Sequence, residues 1–174
     1  MRLPEISSSM LMKKDFTAFA IILTVLLFSG CKPASKTSGE PSLQESQAWM
    51  HDFVADRGTG ATFEGSGCSA TIVWLGLDGR QYLSFNFSLK DLDSNTASSV
   101  HTIVSPPASS NMWRATAVTT NNLKKVAVYN YDTKETVQDS VIEGIPFRSS
   151  EDADRFAKAL RHAIVLCGGK PSPF

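Results

Sequence analysis

Hydrophobic and polar residues alternate most regularly between Gln81 and Leu89. The apolar positions of this segment are Leu83, Phe85, Phe87 and Leu89. A period of two residues predicts a strand with one buried face and one solvent-facing face. The preceding segment, Ser69 to Leu77, is apolar and rich in β-branched residues, and Asp78-Gly79 follows it as a typical tight-turn sequence. The two segments therefore predict a β-hairpin.

Five further segments are rich in apolar or β-branched residues and are bounded by turn residues. They are 61–64, 100–104, 112–119, 124–129 and 140–147. They predict more strands, for a total of seven, or of six if the short segment 61–64 does not form a strand. Asn121-Asn122 lies between two of them and predicts a second tight hairpin, because Asn tolerates the left-handed backbone conformation.

Apolar residues recur at helical spacing on both sides of the predicted strands. The first helical segment is 43–56, where Ser42 and Glu45 have the spacing of a capping box that satisfies free backbone donors. The second runs from a serine cap at 149 or 150 to Cys167. Its apolar stripe consists of Ala153, Phe156, Ala157, Leu160, Ala163, Ile164 and Cys167. We expect an N-terminal helix and a C-terminal amphipathic helix.

This order of elements predicts an α+β fold with a curled antiparallel sheet. Six or seven strands followed by one amphipathic helix resembles the pleckstrin-homology-like barrel over residues 61–167. The segment 147–174 is similar to the ends of small bacterial proteins with that layout. The resemblance implies a small barrel whose last helix covers one opening. A flatter sheet packed on two helices is the alternative that the pattern leaves open.

Residues 13–31 have the organisation of an export signal. Two lysines precede the almost wholly apolar segment 17–28, and small residues then lead to Cys31. The apolar segment is shorter than the roughly 20 residues that a membrane-spanning helix needs. Leu27-Phe28-Ser29-Gly30-Cys31 resembles the lipobox of bacterial lipoproteins, with Phe28 in the usual position of Leu. The resemblance implies acylation of Cys31 after removal of residues 1–30.

The same resemblance implies how the chain is organised and where it resides. Residues 1–30 are the signal peptide, residues 31–41 are the lipidated cysteine and a flexible tether, and residues 42–174 are a single globular domain. Membrane lipid is the expected partner of the acylated Cys31. Lys32 stands where inner-membrane lipoproteins often have Asp. This favours a lipoprotein of the bacterial cell envelope that is anchored in the outer membrane and faces the periplasm.

Cys68 and Cys167 remain once Cys31 is acylated. An even pair of cysteines in an oxidising compartment predicts a disulfide, which would join the last helix to the start of the strand at Ser69. The alternative is a metal site that combines both thiols with His162 and a further ligand. The oxidising compartment favours the disulfide.

The charge balance excludes one class of partner. The chain has 17 basic and 17 acidic residues, and residues 1–30 account for three of the basic and two of the acidic ones. The mature protein therefore has a net charge of about −1. Nucleic-acid-binding proteins carry a basic excess because they neutralise phosphates. We expect no nucleic-acid partner.

Motifs of known catalytic or cofactor chemistry do not occur in the sequence. It has no Gly-x-Ser-x-Gly elbow, no His-Glu-x-x-His pair and no phosphate-binding loop. Asp91, Asp93 and Asn95 match the first ligand positions of a calcium loop. Because Thr96 and Thr102 replace its glycine and glutamate, a capped turn is favoured. The sequence predicts no catalytic residue, no metal site and no cofactor.

Four basic residues lie on the polar side of the C-terminal helix. They are Arg155, Lys158, Arg161 and His162. On one interpretation they bind an acidic envelope protein or anionic lipid headgroups beside the membrane. On the other they complement the helix dipole and are simply solvated.

These features together predict a membrane-anchored envelope lipoprotein that acts as a non-catalytic binding or scaffolding module. A small envelope hydrolase is one alternative, with His101 and a nearby Ser or Asp as its catalytic groups. A carrier of a small apolar ligand is another. Such a carrier would need an open cavity in place of filled layers of Phe85, Phe87 and Trp113.

Overall fold

The computed structural model describes residues 39–103 and 111–170 and shows an α+β protein with two helices and eight strands. The helices are α1 (Leu43–Arg57) and α2 (Ser150–Leu166). The strands are β1 (Ala61–Ser66), β2 (Ser69–Leu75), β3 (Gln81–Ser88), β4 (Ser98–Ile103), β5 (Asn111–Val118), β6 (Val126–Asn130), β7 (Glu135–Asp139) and β8 (Val141–Phe147). The predicted α+β class and both predicted helices are confirmed.

Helix α1 begins where its sequence predicts. The Glu45 backbone N–H donates to Ser42 Oγ at 3.2 Å, and the Ser42 backbone N–H donates to Glu45 Oε2 at 2.9 Å. This reciprocal pair is the predicted capping box, and it satisfies two donors that the helix itself cannot. Met50, Phe53 and Val54 are buried against the rest of the protein.

The first sheet has five antiparallel strands in the order β1-β2-β3-β6-β7. Strands β2 and β3 form the predicted hairpin, and Gly79 takes the positive φ that its turn requires. Beside it, a hydrogen bond from the Arg80 guanidinium lowers the pKa of the Asp78 carboxyl. Phe85 and Phe87 point into the core, as the alternation along β3 predicts.

The second sheet has three antiparallel strands in the order β4-β5-β8. Helix α2 packs against all three strands and against α1. Ser149 caps α2 by accepting from the Asp152 backbone N–H at 3.1 Å. The predicted apolar stripe is confirmed, because six of its seven residues are buried and Cys167 is partly buried.

A bulge in β8 holds the two sheets together at their seam. Ala115 pairs with Ile145 and Ala117 pairs with Ile142, so Glu143 and Gly144 stand opposite one residue of β5. Gly144 has a φ of +61°, and its carbonyl oxygen accepts a hydrogen bond from Trp74 Nε1 of the first sheet at 2.9 Å. A Cβ atom at Gly144 would lie 1.7 Å from the Ala115 carbonyl oxygen.

The predicted disulfide is present between Cys68 in the β1–β2 turn and Cys167 at the end of α2. The two Cα atoms are 5.6 Å apart, within the usual range for a disulfide. The alternative metal site is wrong, because both sulfur atoms are used in this bond. The bond attaches the last helix to the first hairpin across 99 residues of sequence.

Three other expectations are wrong. The strands do not close into a barrel in the described part of the chain, because no strand of the first sheet forms a ladder with a strand of the second. The structure has eight strands in its described part, and the additional one is β7, whose largely polar and exposed sequence lacks the apolar pattern of a strand. Asn121 and Asn122 do adopt positive φ, but they connect strands of different sheets and form no hairpin.

Several expectations lie outside the described residues. They concern the signal peptide at 1–30, the lipidated Cys31 and most of the tether at 31–41. Within the described residues, neither helix combines the length and the apolar character required to cross a membrane.

The disulfide predicts a measurable loss of stability when it is removed. We expect the double variant Cys68→Ser/Cys167→Ser to lose about 2 to 5 kcal/mol of unfolding free energy, because a cross-link over about 100 residues restricts the unfolded chain. Denaturant unfolding with and without a reductant measures this loss. The reductant should not affect the double variant, and two free thiols in protein taken from its native compartment would contradict the bond.

The bulge predicts that Gly144→Ala is far more damaging than Gly67→Ala. Both glycines have positive φ, but no atom lies within 4 Å of a Cβ placed at Gly67. Gly67→Ala should therefore cost about 1 to 2 kcal/mol from backbone strain alone. Gly144→Ala adds a backbone clash, and we expect about 4 kcal/mol. Equal losses in thermal or denaturant unfolding would show that the bulge is not held tightly.

Candidate functional site

The four basic residues of α2 face away from the core, but three of them contact other parts of the protein. The Arg155 guanidinium carbon lies 5.1 Å from the centre of the Phe53 ring on α1. Arg161 Nη2 donates to the Ala97 carbonyl oxygen at 2.7 Å, just before β4. His162 Nε2 donates to the Pro41 carbonyl oxygen at 2.8 Å.

These contacts change the interpretation of the basic face. Arg155 and His162 tie α2 to α1 and to the segment before it, and Arg161 ties α2 to the start of β4. Lys158 is exposed and makes no hydrogen bond or ion pair with another described residue. Part of the predicted binding surface is therefore structural, and Lys158 is the one of these four residues that has no such contact with another described residue.

A polar groove of about 300 Å³ lies between α1 and β1. Its lining residues are Gln44, Gln47, Ala48, His51, Asp52, Glu64 and Gly65. His51 Nδ1 donates to the Phe63 carbonyl oxygen at 2.8 Å, and Glu64 Oε1 lies 3.7 Å from the same nitrogen. Gln47 Nε2 donates to the Gly67 carbonyl oxygen at 2.9 Å. The groove offers hydrogen-bonding groups to a polar ligand, and none of its lining residues is a Ser, Thr or Cys nucleophile.

A second cleft, of about 220 Å³, lies where the turn after β3, the β5–β6 connection and the end of α2 meet. Its lining residues are Lys90, Asp91, Thr120, Leu123, Lys125, Gly168 and Lys170. Lys125 Nζ lies 2.7 Å from Asp91 Oδ1. We call it the lysine cleft, because lysine is its commonest lining residue.

His101 lies on β4, directly opposite Trp113 of β5. The centres of their rings are 4.9 Å apart. Within the described ranges, no Ser or Asp side chain forms a hydrogen bond with His101. Ser105 lies in the segment 104–110, outside those ranges, so the hydrolase hypothesis stays a prediction.

The calcium-like segment forms the capped turn that its sequence favours. The Asn95 backbone N–H donates to Asp93 Oδ1 at 2.8 Å, and the Thr96 hydroxyl donates to the Asp93 carbonyl oxygen. Across residues 39–103 and 111–170, no three His, Cys, Asp or Glu side chains are grouped so that they could hold a metal ion.

The lysine cleft could not be found by a search for local motifs. Lys90, Lys125 and Lys170 come from three distant segments, and only the fold brings them together. The one local signal is the pair Lys124-Lys125 after a turn, which is common on protein surfaces. The groove beside His51 depends in the same way on how α1 lies against β1.

The chain was compared with known protein families, curated proteins and solved structures. No protein-family model, no curated protein and no solved structure matches this chain.

Proposed function

We propose that this protein is a lipid-anchored binding module of the bacterial cell envelope. The observation that carries the proposal is the apolar segment 17–28 followed by Ser29-Gly30-Cys31. Cys31 would be acylated and would hold the domain at the periplasmic face of the outer membrane. Several acyl chains anchor a protein stably, whereas a single chain binds only marginally.

The disulfide supports an oxidising compartment. Structural disulfides persist in exported proteins and are rare in the reducing cytosol. The Cys68–Cys167 bond joins the β1–β2 turn to the end of α2, and both cysteines are partly buried. A bond of this kind fits a domain that folds after export.

The position of the tether suggests which part of the domain would lie near the membrane. The chain passes from Cys31 to Pro41, which accepts the hydrogen bond from His162 on α2. Ten residues span at most about 35 Å. The C-terminal half of α2 would therefore stay close to the membrane surface.

The exposed face of α2 is the proposed contact for an envelope protein partner. It presents Lys158 together with the exposed apolar residues Val165 and Leu166. An apolar core with polar and charged groups at its rim is typical of protein-binding surfaces. Binding is favoured over catalysis because His101 packs on Trp113, and over an apolar carrier because Phe85 and Phe87 fill the core.

Lipid attachment is the first test. Cys31→Ser should abolish incorporation of a labelled fatty acid, because the thioether cannot form on a serine hydroxyl. Phe28→Leu is the matched control, since it changes the same motif toward its usual form and should preserve labelling. Undiminished labelling of Cys31→Ser would refute the anchor.

Capture of a partner is the second test. A photo-crosslinking residue at Lys158 should give a discrete adduct with one envelope protein in intact cells. The same residue at Gln138, which is exposed on β7, is the matched control and should not give that adduct. Combining the probe at Lys158 with Cys31→Ser should remove the adduct, because the domain no longer lies at the membrane. Identical products at both positions would contradict a specific surface on α2.

A further inference from the structure

The lysine cleft has more positive charge than its own acidic residue can balance. Asp91 pairs with Lys125, and no hydrogen bond or ion pair joins Lys90 or Lys170 to another described residue. Like charges held together repel each other and destabilise a fold. The mature protein is close to neutral, so this cluster does not follow from a general basic excess.

The chemistry of the cleft suits a phosphate group next to apolar material. Three ammonium groups and the Thr120 hydroxyl can donate hydrogen bonds to phosphate oxygens. Leu123 lines the same cleft and is 48% exposed. The volume of the cleft, about 220 Å³, is below the roughly 300 to 1,000 Å³ of pockets for drug-sized ligands. A small charged headgroup is therefore a better fit than a large ligand.

The cleft lies at the same end of the domain as the proposed tether. His162, which contacts Pro41, is four residues before the end of α2, or about 6 Å along the helix axis. Gly168 follows that end and lines the cleft. The exposed residues Val165 and Leu166 lie between the two. A membrane near the tether would therefore also be near the cleft.

We propose that the lysine cleft binds the phosphate of an anionic lipid headgroup in the membrane that holds the anchor. This inference rests on the proposed lipid anchor. Each lysine near an anionic membrane surface contributes about a fivefold gain in binding, and salt screens that gain. The cleft would orient the tethered domain, with the α1–β1 groove and the rest of α2 left open to other partners.

Lysine footprinting on the anchored protein tests the proposal. The lipidated protein is reconstituted into vesicles of phosphatidylethanolamine with phosphatidylglycerol, or into vesicles of phosphatidylcholine alone. After treatment with an amine-acylating reagent, mass spectrometry gives the labelling rate of each lysine. In the anionic vesicles, we expect Lys90 and Lys170 to react several-fold more slowly than in phosphatidylcholine. Lys134, in the turn between β6 and β7, is the internal control and should react equally in both.

A failure of the anchor, a failure of the cleft proposal and binding of a soluble phosphate give three different results. Protein that has no anchor stays outside the fraction of phosphatidylcholine vesicles, which offer the cleft no anionic lipid, so a failure of lipidation is seen before any lysine is compared. Equal rates for Lys90 and Lys170 in the two vesicles would overturn the cleft proposal and leave the anchor intact. Protection by glycerol phosphate added to detergent-solubilised protein, without protection in anionic vesicles, would also overturn it, because the ligand would then be soluble.

Two variants test the direction of the charge effect. Asp91→Asn removes the one carboxylate that lines the cleft among the described residues and should increase the protection of Lys90 and Lys170 by about fivefold at low salt. Lys125→Gln should reduce that protection by a similar factor, whereas Lys134→Gln should leave it unchanged. Weaker protection in Asp91→Asn would contradict an anionic ligand, provided that its thermal unfolding matches that of the parent protein.

Discussion

The fold depends on a cluster of four phenylalanines at which both helices and both sheets meet. The Phe156 ring of α2 lies 5.7 Å from Phe63 of β1 and 5.7 Å from Phe147 of β8, and Phe53 of α1 lies 5.8 Å from Phe147. Rings at such distances contribute packing energy beyond the area that they bury. There is no continuous ladder between the sheets, and within the described residues this cluster, the Trp74–Gly144 hydrogen bond and the contact of the Arg114 guanidinium of β5 with the Trp74 ring help to join them.

The elements that the sequence predicts well are those whose signals are local. The capping box at Ser42, the alternation along β3 and the apolar stripe of α2 each follow from residues within a few positions of one another. The division into two sheets does not follow from such local signals, because it depends on which strands pair across long stretches of sequence, as β3 pairs with β6 and β5 with β8. The two Asn residues at 121 and 122 indicate a backbone conformation correctly, yet carry no information on the sheet that follows.

The candidate sites also show which features can be predicted from local sequence and which cannot. A helical pattern was enough to place four basic residues on one face of α2, but not to show that Arg161 holds the Ala97 carbonyl oxygen. The lysine cleft is visible only in the folded structure, because its lining residues share no sequence motif. The position of a basic residue along a helix therefore does not show whether its charge is available to a ligand. That depends on the contacts its side chain makes in the folded protein.

The disulfide also constrains the order of covalent events during maturation. Cys167 follows the last helix, so in a chain exported as proposed its bond to Cys68 cannot form until every strand between them has been translocated. During that interval, Cys31 is the only other thiol in the sequence with which Cys68 could be oxidised. Acylation at Cys31 would remove that competitor before the native partner arrives. Lipid attachment would then act as a chemical protecting group for correct oxidative folding, in addition to its proposed role as an anchor.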